Sequence, residues 1–163
     1  MLQQLEPNAP TDFDFVLGKW QVRHRRLKER LNQCDEWDEF IGYSSTQKVL
    51  GGFGNIEDNQ LFFPEQTFRA IAVRSYDAST GNWSIWWLDG RFPGAIDVPV
   101  KGQFKDGVGT FYADDTFAGK PIKVRFLWSQ PSPNRPRWEQ AFSVDGGKTW
   151  ETNWTMDFLP DNN

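Results

Sequence analysis

The chain has 163 residues, among them nine Trp, 14 Phe and three Tyr, and carries a net charge of −4 at neutral pH. Its length suits one domain, residues 1–163, and Leu, Ile, Val and Phe make up about 24% of it, above the roughly 20% below which disorder is expected. No apolar run approaches the roughly 18–20 residues of a spanning helix, aromatics are as common as branched aliphatics, and acids outnumber bases. The expectation is therefore an aromatic-rich β domain with no membrane or nucleic-acid partner, and not a coiled coil.

In chain order, residues 1–11 read as a flexible lead-in, and 12–18 as one helical turn with Thr11 and Asp14 at capping-box spacing and Gly18 as its stop. The next segment alternates: Trp20, Val22, His24 and Arg26 share one strand face, and Gln21, Arg23, Arg25 and Leu27 the other. A second strand covers 37–50, and the glycines at 51, 52 and 54 reverse the chain into a third. Turn residues at 77–82 separate strands 66–76 and 82–91, the latter with Trp83, Ile85, Trp87 and Asp89 on one face. Asp106-Gly107 divides 97–104 from 108–116, and Ala118-Gly119-Lys120 divides that strand from 121–129. The longest loop is expected at 129–136, and Asp145-Gly146-Gly147 separates 137–143 from 150–158. Ten strands without helical periodicity predict an all-β chain. Hairpin connectivity favours a single antiparallel up-and-down barrel, because closure removes the edge strands. The helical turn and Trp20 would plug one end.

The segment F-D-F-V-L-G-K-W at 13–20 resembles the G-x-W opening of lipocalins and their calycin relatives. HRRLKERL, RSYDASTGNWSIWWLD, DGVGTFYADDTF and RWEQAFSVDGGKTWETNW are similar to bacterial lipocalin-like proteins of unknown function, a likeness running from Phe13 to Phe158. The resemblance implies a calycin-type barrel with a small-molecule cavity. In the haem-binding branch of ten-stranded calycins a late His ligates iron; here no His follows His24, so haem bound by that route is not expected. No cofactor is expected.

The first strand and its turn hold Lys19, Arg23, Arg25, Arg26, Lys28 and Arg30, and Asp35, Glu36, Asp38 and Glu39 follow on the hairpin partner. Lateral pairing between adjacent strands accounts for that charge pattern without a partner molecule. The segment 143–150 matches S-x-D-x-G-x-T-W, which resembles the Asp-box hairpins of sialidase-type propellers. A propeller needs the signature in every blade, and here it occurs once, so a structural hairpin is expected. Cys34 is alone, which excludes an internal disulfide, and a lone His with no Cys beside it argues against a zinc site. The N-terminal stretch has neither a basic n-region nor an apolar h-region. Together these features predict a cytoplasmic protein.

Strand parity groups Trp20, Trp83, Trp87, Trp128, Trp150 and Trp154 on inward faces. An aromatic-lined barrel with a few polar groups is the general form of a small-molecule pocket. The expected ligand-binding set is Trp20 as floor, Trp87 and Trp154 as walls, His24, Arg74 and Asp89 as polar anchors, and Tyr112 and Gln140 as further polar groups. The leading expectation is a barrel that binds an amphipathic or aromatic molecule. Two alternatives stand beside it. One is an isomerase- or hydrolase-type enzyme using His24 as acid or base. The other is a ligand-free interaction module in which exposed aromatics such as Phe62, Phe63 and Phe92 form a homodimer contact.

Overall fold

A computed structural model describes residues 4–162. Ten antiparallel strands close into an up-and-down barrel: β1 (Gly18–Leu27), β2 (Trp37–Val49), β3 (Gly54–Phe62), β4 (Thr67–Asp77), β5 (Asn82–Asp89), β6 (Val100–Lys105), β7 (Val108–Phe117), β8 (Lys120–Ser132), β9 (Arg135–Ser143) and β10 (Glu151–Pro160). Each strand pairs with its sequence neighbours, and β10 closes on β1 from Trp20 opposite Pro160 to Arg26 opposite Trp154. Among the described residues the only helical elements are 3-10 turns at Asp14–Val16 and Leu50–Gly52, none long enough to cross a membrane.

Alternation along the strands builds the barrel. Val22 and His24 on β1, Phe68, Ala70 and Ala72 on β4, Ile122 and Val124 on β8 and Met156 and Phe158 on β10 are buried, while most of their neighbours are wetter. At 106–107 and 118–119 both turn residues have positive φ, from 49° to 80°. These are the mirror-image turns whose twist matches the flanking strands, which explains the glycine in second place.

Two local expectations are revised. Thr11 supplies no side-chain cap; the Asp14 amide instead donates to the Thr11 backbone carbonyl at 3.0 Å, and the short turn begins from Phe13. The stretch 129–136 is not a long loop, because β8 and β9 pair out to Ser132 opposite Arg135 across a register irregularity. The long connections are instead 28–36 and 90–99. Both lie at the end of the barrel away from the N-terminal turn, which we call the open end.

The expected lateral ion pairs form at Arg25–Glu39 (3.5 Å) and Lys28–Glu36 (3.8 Å). Both pairs are well exposed and contribute little to stability. The segment 143–150 is the structural hairpin expected of it. The Asp145 carboxylate accepts from the Lys148 and Thr149 amides, from the Thr149 hydroxyl (2.6 Å) and from the Ser143 hydroxyl (2.8 Å). These bonds, Thr149 foremost, hold the Asp145 carboxyl well below the usual carboxylate range.

Candidate ligand-binding cavity

The two halves of the barrel are filled differently. At the closed end Phe13, carried in by the first 3-10 turn, meets Trp83 and Phe104 edge-on at 4.9 and 4.8 Å. Trp20 packs edge-on against Phe158 at 6.2 Å, its indole N–H donating to the Val16 carbonyl at 2.9 Å. Above Phe13 sits the Arg74 guanidinium, 5.0 Å from the Phe13 ring and 4.9 Å from that of Trp128. It donates to Asn55 Oδ1 at 2.7 Å and pairs with the Glu57 carboxylate, which is 2% exposed. Two charges taken this far from water persist only as a hydrogen-bonded pair. Arg74 thus has its counter-ion within the barrel.

The upper half is not filled by side chains. A cavity of about 430 Å³ opens there, within the range of small-molecule sites. Its inner wall is aromatic: the Trp154 ring packs against Trp138 at 5.5 Å and Trp87 at 6.1 Å, and Phe126 meets Trp138 at 5.0 Å. Ile85, Val100, Ile122 and Val124 add to the apolar lining. Strands β5 and β6 stay paired only from Trp83 to Ile85, so the connection 90–99 leaves the sheet and folds over the mouth. The Asp97 amide donating to the Trp87 carbonyl at 3.0 Å and the Arg91 guanidinium lying 3.7 Å over the Phe68 ring hold it there. A broader groove of about 820 Å³ beneath the connection 28–36 shares Arg30, Phe117 and Phe142 with the cavity.

His24 does not line this cavity. Its ring, 3% exposed, stacks on Phe40 at 4.6 Å, and its Nδ1 accepts the Trp154 indole N–H at 3.1 Å. The proton of the neutral ring therefore sits on Nε2, which faces Gly42; a Cβ at that glycine would lie 2.9 Å from it. Burial lowers the His24 pKa to about 3. The imidazole is a buried neutral acceptor that orients the Trp154 wall from behind, set back from the cavity lining where an acid or base was expected.

The mouth carries charge. Arg26 and Arg30 come from β1 and its following turn, Arg91 and Asp97 from 90–99, Asp89 from β5 and Asp115 from β7. Asp89 grips Arg91 with both carboxylate oxygens, the shortest contact 2.7 Å, and also takes the Arg91 amide at 2.9 Å. Burial pushes the Asp89 carboxyl up, but those bonds and the charges of Arg91 and Arg26 outweigh it and hold the group below its ordinary value. Asp97 is raised, by desolvation first and then by repulsion from Asp115 and Asp89.

Of the residues singled out in the sequence, Trp87, Asp89, Gln140 and Trp154 come together around the cavity. Trp20 and Arg74 lie in the filled half below, and His24 behind the wall. Tyr112 is outside: Phe111 and Ala113 take the inner positions of β7, so Tyr112 is half exposed and packs on Trp150 at 5.9 Å. Trp150 is outside too, because the register shift between Thr152 and Trp154 breaks the even-numbered parity of β10. Phe63, expected at a surface contact, turns in to stack on Phe68 at 4.9 Å and line the cavity, whereas Phe92 is 63% exposed. Sequence reasoning missed Trp138, whose strand was identified but not its face. It also missed Arg30, in the turn after β1, and Arg91 and Asp97, placed at the ends of strands expected at 82–91 and 97–104 but found in the connection 90–99. Arg26 was on the inward face, though read only as a lateral ion-pair partner.

No protein-family model matches the chain, and no curated protein matches it. Among solved structures it is similar to the S-type phycobiliprotein lyase CPES from Guillardia theta, with a TM-score of 0.59 over 93% of this chain and 91% of that one, at 10% identity. At that identity the likeness speaks to the fold. Together with the closed ten-stranded meander, it shows that the chain has an up-and-down β-barrel fold similar to that of this neighbour.

Proposed function

We propose that the protein binds a small aromatic or amphipathic molecule in the upper half of the barrel. The observation that carries this reading is the contrast between the halves. The closed end is packed by Phe13, Trp83, Phe104 and Trp128, whereas the open end keeps about 430 Å³ behind a wall of Trp87, Trp138 and Trp154. Apolar surface left facing water in a cavity of that size forgoes burial that a ligand would supply, and edge-to-face tryptophans offer a flat site for a conjugated ring. The phycobiliprotein lyase neighbour works on pigment-bearing proteins by its name. That agrees with a small-molecule-binding barrel here without naming the compound. The free thiol Cys34 fits a cytoplasmic setting.

Titration with the neutral dye N-phenyl-1-naphthylamine tests the site. Wild type should bind it with a rise in fluorescence. Val124→Trp, which fills the cavity from β8, and Trp87→Ala, which removes the wall, should each weaken binding at least tenfold. Unchanged affinity in both variants would place the dye elsewhere and sink the site.

A further inference from the structure

We infer that the ligand carries an anionic group, a carboxylate or comparable oxyanion, bound by Arg26 and Arg30 at the β1 side of the mouth while its aromatic body lies against the tryptophan wall. This rests on the ligand-binding reading and narrows the chemical class.

The argument is one of missing counter-ions. Arg26 and Arg30 both line the cavity, and among the described residues no carboxylate lies within ion-pair distance of either. Their Nε atoms are buried with no hydrogen-bond partner, as are those of Arg74 and Arg125, so among the arginines lining the cavity it is the missing carboxylate that sets this pair apart. The other arginines of the barrel interior and mouth are provided for: Arg74 has Glu57 and Asn55, and Arg91 has Asp89. What Arg26 and Arg30 have instead are aromatic faces. Arg26 lies 5.1 Å over Trp154 and 5.5 Å over Phe63, and Arg30 lies 5.0 Å over Phe117. Stacking of this kind holds a guanidinium flat and leaves its edge, the face that grips an oxyanion in a two-point fork, available.

The nearby acids do not cancel this demand, although Asp38, opposite Arg26 on β2, and Asp89 both attract Arg26 from beyond ion-pair distance. Asp89 is committed to Arg91, and Asp115 accepts the Thr116 amide at 2.7 Å. Asp97 is desolvated and crowded by the other two, which disfavours its charged form. On the basic side, burial and the neighbouring charges of Arg30 and Arg91 bring the Arg26 pKa down to about 10, burial also lowers that of Arg30, and the two guanidiniums repel one another. An anion between them removes the repulsion and supplies the missing acceptors. The Trp154 ring, held from behind by His24, touches both the guanidinium of Arg26 and the cavity wall. It thereby ties the acidic end of the ligand to its ring.

The test is a matched pair of ligands that differ only in charge, 2-naphthoate and 2-naphthamide, titrated calorimetrically into the wild-type protein. The carboxylate should bind at least tenfold tighter than the amide, and its advantage should shrink with added salt. In Arg26→Gln and Arg30→Gln the carboxylate should lose at least tenfold while the amide is unaffected. The wild-type comparison needs no variant to fold. Equal binding of the two ligands would overturn the anion inference and leave the cavity reading standing. Binding of neither would overturn both.

Discussion

The bond from Trp154 to His24 makes a quantitative prediction about acid. In the folded chain the imidazole is neutral, with a pKa lowered to about 3 by burial; in the unfolded chain it returns to 6.5. Above pH 6.5 neither state binds the proton and the bond contributes fully. As the pH falls below 6.5 the unfolded chain is protonated first, so stability drops, and the drop continues until the folded ring itself titrates. Integrated from pH 7 to pH 5, the linkage amounts to about 2 kcal/mol. The assay is urea denaturation at pH 7, 6 and 5 for wild type and His24→Gln. The glutamine variant is less stable at pH 7 because it loses the ring stacked on Phe40, but it should lack the steep pH dependence. The lowered carboxyls Asp77, Asp89 and Asp145 have unfolded values near 3.8 and act below this window. Parallel curves for the two proteins would refute the buried neutral histidine.

Other consequences follow from the same packing. Glu57→Leu strands the buried Arg74 guanidinium and should cost about 3–5 kcal/mol in a denaturant titration, without moving the affinity of a ligand in the upper half. Phe13→Ala empties the centre of the closed end, where the ring is 2% exposed, and should cost about 3–5 kcal/mol. Gly42→Ala places a methyl group against His24 Nε2 and the Gln60 carbonyl, so the Trp154 indole N–H resonance should shift and cavity affinity fall. Asp145→Ala should speed amide exchange at Lys148 and Thr149 and leave ligand affinity unchanged.

The barrel was legible in the sequence because its information is local and repeated. Asp106-Gly107 and Ala118-Gly119 announce tight hairpins, and Trp20-Val22-His24 and Trp83-Ile85-Trp87 announce inward faces. The site was legible only where that alternation continues without a break. On β7 a parity error of one residue placed Tyr112 inside instead of Phe111, and on β10 the irregularity at Thr152–Trp154 carried Trp150 outside. The charged mouth was hidden for another reason. Arg30, Arg91 and Asp97 belong to connections whose direction is set by tertiary contacts, such as Arg91 on Phe68 and the Asp97 amide on the Trp87 carbonyl. The role of His24 needed a partner 130 residues away, Trp154, which no spacing rule brings to it.

The most direct test of the central claim is native mass spectrometry of the protein purified from its own host, followed by denaturing extraction. The account predicts a discrete extra mass, released on denaturation, belonging to an acidic aromatic compound and missing from Val124→Trp. A protein that carries only its own mass and takes up neither naphthalene ligand would contradict the account.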